Sequence, residues 1–307
     1  MQPLKGIAFK ITAIALFSIM AALIKATADE VPAGQAVFFR SFFALFVIFI
    51  WLLQRGEMPQ GLRVTNAMGH VWRGVIGTTS MAMNFAALGL LPLPEVTAIG
   101  FAAPLMTVIF AAMFLGEEVR AFRLTAVGIG LIGVTVVLWP RLTIFDADQA
   151  SAMATVGVML VLGSALFRAL AQIHIRKLVQ TDQTSAIVFY FSLTASCLSL
   201  LTLPFGWVIP TWEQAALLVT AGLIGGVAQI MLTSCYRFAP ASVVAPFDYV
   251  AMLFAILIGY VWFSEIPTPQ MLIGASIVIA AGILIIWRER QLGLKRGKAR
   301  PGVTPQG

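Results

Sequence analysis

The sequence predicts an all-α integral membrane protein: ten transmembrane helices in two inverted five-helix repeats, with both termini in the cytoplasm. Three observations carry this prediction. Apolar runs of spanning length follow one another along the chain, the second half re-reads the first, and the basic residues gather on one side. Hydrophobic residues make up 60% of the 307, charged residues only 11%, and mean hydropathy is +0.94. A soluble chain of this size needs more polar residues to cover its surface.

A span takes about 20 apolar residues in a helix. Ten such stretches occupy 7–27, 34–54, 69–90, 94–115, 121–140, 153–177, 184–204, 212–235, 241–263 and 269–288. The connections are too short for a separate soluble domain. Ala26-Thr27-Ala28 after the first run has the form of a signal-peptide cleavage site, but losing that span would leave nine helices and break the repeat. In the fourth and ninth spans, Pro104 and Pro246 remove backbone hydrogen bonds and loosen the helix at a similar level. Gly128, Gly130 and Gly133 cluster on the fifth span, Gly222 and Gly226 form a GxxxG on the eighth, and Gly274, Ser276 and Ala280 mark the tenth. Such surfaces let backbones approach, and close packing is their first reading.

The duplication has a register. At a shift of 148 residues, Gly74 meets Gly222, Gly77 meets Gly225, Pro92 meets Pro240, Glu117 meets Glu265 and Trp139 meets Trp287. Earlier spans align at 150, pairing Phe17 with Phe167, Ala36 with Ala186 and Phe39 with Phe189. Five spans per copy is an odd number, so the second copy enters the membrane from the opposite face, as in transporters built from inverted repeats. The expected units are 1–145, 146–290 and a basic, disordered cytoplasmic tail at 291–307. With the N-terminus inside, 16 of the 20 Lys and Arg fall on cytoplasmic segments, whereas outer segments carry Lys25 and Arg141 beside Asp29, Glu30, Asp146, Asp148 and Glu213. This positive-inside bias accounts for the net charge of +7 without invoking nucleic acid.

Cys197 and Cys235 lie in apolar stretches and read as small buried hydrophobes; no metal spacing accompanies them. No zinc-protease, serine-nucleophile or P-loop sequence occurs, so no enzyme, cofactor or ATP-driven pump is indicated. Three ionisable residues fall inside spans: Arg40, Arg168 and Asp248. On insertion scales each costs about 2.5–3.5 kcal/mol at mid-membrane, so each is expected to face the bundle interior. Arg168 and Asp248 lie at similar depth and are expected to pair at an inner gate, with Asp248 a candidate for proton uptake. Arg40 is expected to anchor the outer side through Asp29 or Glu30. Glu117 and Glu265 read as structural groups at helix ends. Phe17, Phe167, Phe101 and Tyr249, with Ser80, Met81, Asn84 and Gln229, would line an apolar aromatic cavity with a few hydrogen-bonding groups.

The stretches PLPEVTAIGFAAPLMTVIFAAMFLGEEVRAFRLTAVGIGLIGVTVVLW and PASVVAPFDYVAMLFAILIGYVWFSEIPTPQMLIGASIVIAAGILIIW resemble the EamA-type exporters of the drug/metabolite transporter superfamily. The features carrying the resemblance are Pro104, Gly116-Glu117, Ser264-Glu265, the Gly-rich helix that follows, and Arg40; Met252 stands where the first copy has Pro104. The resemblance implies a central cavity lined by spans 1, 3, 4, 6, 8 and 9, and export of metabolites such as amino acids. The function expected is alternating-access export of neutral and aromatic amino acids across a bacterial inner membrane. Efflux of drugs or nucleotide-like metabolites is the alternative, and an intramembrane enzyme or a passive channel a remote one.

Overall fold

The computed structural model describes residues 3–115, 121–139, 149–179, 181–238 and 244–298, and these contain no strand. They form eleven α-helices: α1 (Pro3–Lys25), α2 (Ala33–Gln54), α3 (Ala67–Leu88), α4 (Leu93–Gly100), α5 (Ala102–Leu115), α6 (Ala121–Leu138), α7 (Gln149–Leu178), α8 (Thr184–Leu200), α9 (Trp212–Phe238), α10 (Val250–Phe263) and α11 (Pro269–Lys298). Helices α1, α2, α7 and α9 are long and apolar enough to cross a membrane. The fourth predicted span is two helices. Pro104 has no N–H to offer the Gly100 carbonyl four residues back, and α4 ends at Gly100. In the second copy a 3-10 turn, Ala245–Tyr249, leads into α10, with Pro246 in its first turn where its missing N–H costs little. The two interruptions fall at Phe101 and Tyr249, one repeat apart.

Start signals are local. Asn66 caps α3 by accepting from Gly69 N at 2.9 Å. Thr211 and Gln214 form a reciprocal capping box at α9, with Thr211 N donating to Gln214 Oε1 at 2.9 Å. Ser264 closes α10 in the left-handed conformation (φ 55°), and Glu265 N then reaches the Gly259 carbonyl at 2.9 Å.

The dominant helix pairs are α1 with α9, α6 with α11, α3 with α7, α2 with α9, α2 with α8 and α3 with α8. Exchanging the halves maps this pattern onto itself. The α1–α9 pair becomes α7–α3, α2–α9 becomes α8–α3, and α2–α8 and α6–α11 return themselves. One continuous apolar core runs through both halves, from Met20 and Phe85 to Tyr249 and Val278.

Where backbones meet, glycine is required. A Cβ on Gly133 would stand 2.8 Å from the Gly274 carbonyl oxygen, and one on Gly274 would stand 2.6 Å from that of Gly133. Across α2 and α9, a Cβ on Gly222 would stand 2.8 Å from the Phe39 carbonyl. Between α3 and α7, Ser80 Oγ donates to the Ser164 carbonyl and Ser164 Oγ to the Ser80 carbonyl, each at 2.8 Å.

Two expectations change. The tail was placed from 291, yet α11 continues through Lys298, since Gln, Leu, Lys and Arg are good helix formers and no proline interrupts them; 299–307 lie outside the described residues. Cys235 is buried, but Cys197 is exposed on the outer face of α8.

Gly274→Val should lower stability by about 1–3 kcal/mol through overpacking at the α6–α11 crossing, read as a lower unfolding midpoint in detergent. Gly128→Ala, with nothing within 4 Å of the added carbon, should leave the midpoint unchanged or raise it.

Candidate functional site

The polar interior forms around Arg168 on α7. Its Nη2 donates to Asn84 Oδ1 on α3 at 3.0 Å and approaches Ser164 Oγ at 3.4 Å. Its Nη1 lies against the end of α4, where a Cβ on Gly100 would be only 3.6 Å away. The next residue, Phe101, meets Tyr249 edge to face at 5.2 Å between ring centroids. Asp248 precedes Tyr249 in the 3-10 turn. The break in the fourth span and the 3-10 turn therefore bring a cation, an amide and two aromatic rings together, with the Asp248 carboxylate next in sequence to one of the rings. Phe17 and Met81 pack at the margin of the adjoining core, and Phe167 is half-buried next to Arg168.

Asp248 does not pair with Arg168. Its Oδ1 takes Lys10 Nζ at 2.6 Å, with the Lys10 side chain 2% exposed and that of Asp248 40% exposed. Equal depth is one coordinate only: α1 packs directly against the 3-10 turn, so the α1 cation reaches the acid first. At its other end α1 is fastened again. Lys25 Nζ pairs with Glu265 Oε1 at 3.1 Å and donates to the carbonyls of Leu88 and Leu91 at 3.0 and 2.8 Å. Glu265 Oε2 accepts from Leu93 N at 2.8 Å, so this acid ties α1, the α3–α4 turn and α10 together. Its first-copy counterpart Glu117 lies outside the described residues.

Arg40 also departs from expectation. It is buried and directs Nη2 to Gln229 Oε1 at 3.5 Å, while Glu30 accepts from Gln214 at 2.6 Å and Asp29 is exposed. Two turns into α2, Arg40 faces α9 and cannot double back to the helix start. Gln229 is thereby drawn to α2 and to Thr233, away from Asn84. The Ser80 hydroxyl is committed to Ser164. Pro104 is exposed, and Pro246 is placed by its backbone alone. A cleft of about 260 Å³ opens at the ends of α1 and α3 beside the start of α2, lined by Ile24, Asp29, Glu30, Phe85 and Gly89.

Sequence reasoning missed the role of Lys10, which it counts only among the basic residues of the charge bias, and the pair His70–Asp182. His70 Nε2 lies 2.7 Å from Asp182 Oδ2, and Thr65 N donates to Asp182 Oδ1 at 2.9 Å. Residues 112 positions apart leave no spacing signal. Burial works against the Asp182 charge, but the hydrogen bonds from His70 and Thr65 outweigh it and hold the carboxyl below its usual range.

The model of the EamA-like transporter family matches residues 4–139 and again 155–287. A pseudopaline exporter, CntI, of Pseudomonas aeruginosa is 28% identical over 286 residues, covering 91% of this chain and 95% of that protein. An S-adenosylmethionine uptake transporter of Rickettsia prowazekii is 25% identical over 288 residues, covering 94% of each. A solved structure superposes with a TM-score of 0.67 at 21% identity, over 94% of this chain and 98% of that one; that likeness shows the fold.

Asp182 lies in the turn between α7 and α8, and its folded-state value is depressed. Its stabilisation is therefore fully present above the ordinary aspartate value of 3.8 and lost as pH falls through the lower, folded one. Asp182→Asn should cost about 1–3 kcal/mol at pH 7, as paired groups are left unsatisfied. The gap between variant and wild-type unfolding midpoints should close as the pH is lowered into the acid range.

Proposed function

From the premise that the chain belongs to the EamA-like transporter family and is a multi-pass membrane transporter, we propose that it exports small zwitterionic metabolites, foremost neutral and aromatic amino acids. The carrying observation is that Arg168 and Asp248, both from the second half, carry opposite charges without pairing with each other: each is held by a first-half residue, Arg168 by Asn84 and Asp248 by Lys10. Arg168, braced by Asn84, presents a guanidinium fork to a carboxylate. Asp248 is the ammonium site, and Lys10 is the internal ammonium that occupies it when cargo is absent. Phe101 and Tyr249, with Phe17 and Phe167 nearby, supply the apolar surface for a side chain. The relatives' names fit small metabolites, one of them a methionine derivative.

Alternating access follows from the two fastenings of α1. Lys10–Asp248 closes one end and Lys25–Glu265 the other; they lie fifteen residues, or about 22 Å of helix, apart. Cargo ammonium that displaces Lys10 from Asp248 loosens the first fastening while the second holds. The repeat-exchange symmetry of the packing supports two inverted units, at 1–145 and 146–290, rocking about a shared centre, with both termini cytoplasmic in a bacterial inner membrane. A proton on Asp248 is the candidate coupling ion.

In proteoliposomes, labelled phenylalanine and leucine should show saturable counterflow. Arg168→Gln should reduce it at least about tenfold, the worth of a charge-assisted hydrogen bond, and Asp248→Asn should reduce it and flatten its pH dependence. Saturable movement of cationic dyes with none of either amino acid would overturn the substrate reading. Full activity of Asp248→Asn with an unchanged pH profile would remove both the ammonium and the proton roles.

A further inference from the structure

A second cationic cluster lies away from Arg168, where α2, α3, α8 and α9 meet. Arg40 and Arg73 are 3% and 6% exposed, and both guanidiniums lie over the ring of Phe191, at 5.5 and 4.1 Å from its centroid. Nε and Nη1 of each arginine are buried with no hydrogen-bond partner. Among the described residues no carboxylate pairs with either; those in ion pairs are committed to Lys10, Lys25, Arg55 and His70. Two like charges buried in a helical bundle are costly unless something anionic balances them.

The surroundings are shaped for these two groups. A Cβ on Gly77 would collide with Arg73 Nη1, and one on Gly225 would stand 3.3 Å from Arg40 Nε. Gly77 and Gly225 are one repeat apart, so the duplicated glycine gives each arginine its groove. A guanidinium stacked on a ring keeps its N–H edge free, the edge that grips planar oxyanions. Ser41 and Ser192, each next in sequence to a member of the cluster, carry buried hydroxyls without partners.

We propose that the junction of α2, α3, α8 and α9 binds one small oxyanion, a carboxylate or an inorganic ion such as sulfate, through Arg40 and Arg73. The ligand is either a resident ion or a carboxylate of passing cargo.

The test uses the full-length protein in nanodiscs of phosphatidylcholine, which carries no net charge, in Tris chloride. Equilibrium dialysis with labelled sulfate and labelled acetate should show saturable binding of about one sulfate or acetate per chain. Arg73→Gln and Arg40→Gln should each weaken it at least about tenfold, while Arg63→Gln, the same charge change on an exposed loop, should leave it within about threefold. Displacement by excess phenylalanine would identify the cargo's carboxylate as the ligand; no displacement would identify a resident ion. Wild-type protein that binds neither probe saturably overturns the proposal, even if the arginine variants fail to fold. So do well-folded Arg40→Gln and Arg73→Gln variants that both bind like the wild type. Because binding is read without transport, the result is separate from the amino-acid reading.

Discussion

Hydrocarbon offers no hydrogen bonds, so a polar side chain drawn into a span either turns back on its own helix, as Thr79 does to the Val75 carbonyl, or takes a partner on another helix. The longest-range of these inter-helix bonds lie between the two halves of the chain. Ser80 with Ser164, Asn84 with Arg168, Arg40 with Gln229, Lys10 with Asp248 and Lys25 with Glu265 each join the first half to the second. The ends do the same: Gln35 bonds the backbone of Val208 twice, Ser185 reaches the Gly61 carbonyl, and His70 meets Asp182. The halves are thus held by discrete directional bonds laid over an apolar core. Bonds of this kind are made or broken whole, and the alternating-access reading proposed above draws on that.

The architecture was legible because it rests on properties that a linear sequence carries. Apolar run lengths mark the spans, Pro104 marks the break after Gly100 through a donor it lacks, and the glycine register marks where helices touch. The partners were not legible. Arg168 and Asp248 share a depth, but azimuth around each helix is set by packing, and α1 interposes Lys10. Arg40 was matched to the nearest acids in sequence, although its side chain lies two turns into a helix facing α9. Charge bias sorts basic residues by side of the membrane. It does not separate a lysine that reports topology from one that closes an ion pair.

The matched positions of the repeat build the scaffold. Gly77 and Gly225 make room in equivalent helices, and Phe101 and Tyr249 mark equivalent interruptions and touch each other. Equivalent interruptions arise from unlike causes: a proline three residues after the break in one copy, and a proline inside the 3-10 turn in the other. What is kept is the place where the helix yields, and the residue that makes it yield is free to differ.

The chemistry lies in the mismatches. Gly100 and Asp248 are counterparts at a shift of 148. In the first copy Gly100 lies beside the guanidinium, with Arg168 Nη1 3.6 Å from where a Cβ would stand. In the second, the same position supplies a carboxylate, which Lys10 holds. One of each leaves a cation held by Asn84 and an anion held by Lys10, unpaired with each other, and it is on this that the proposed zwitterion reading rests.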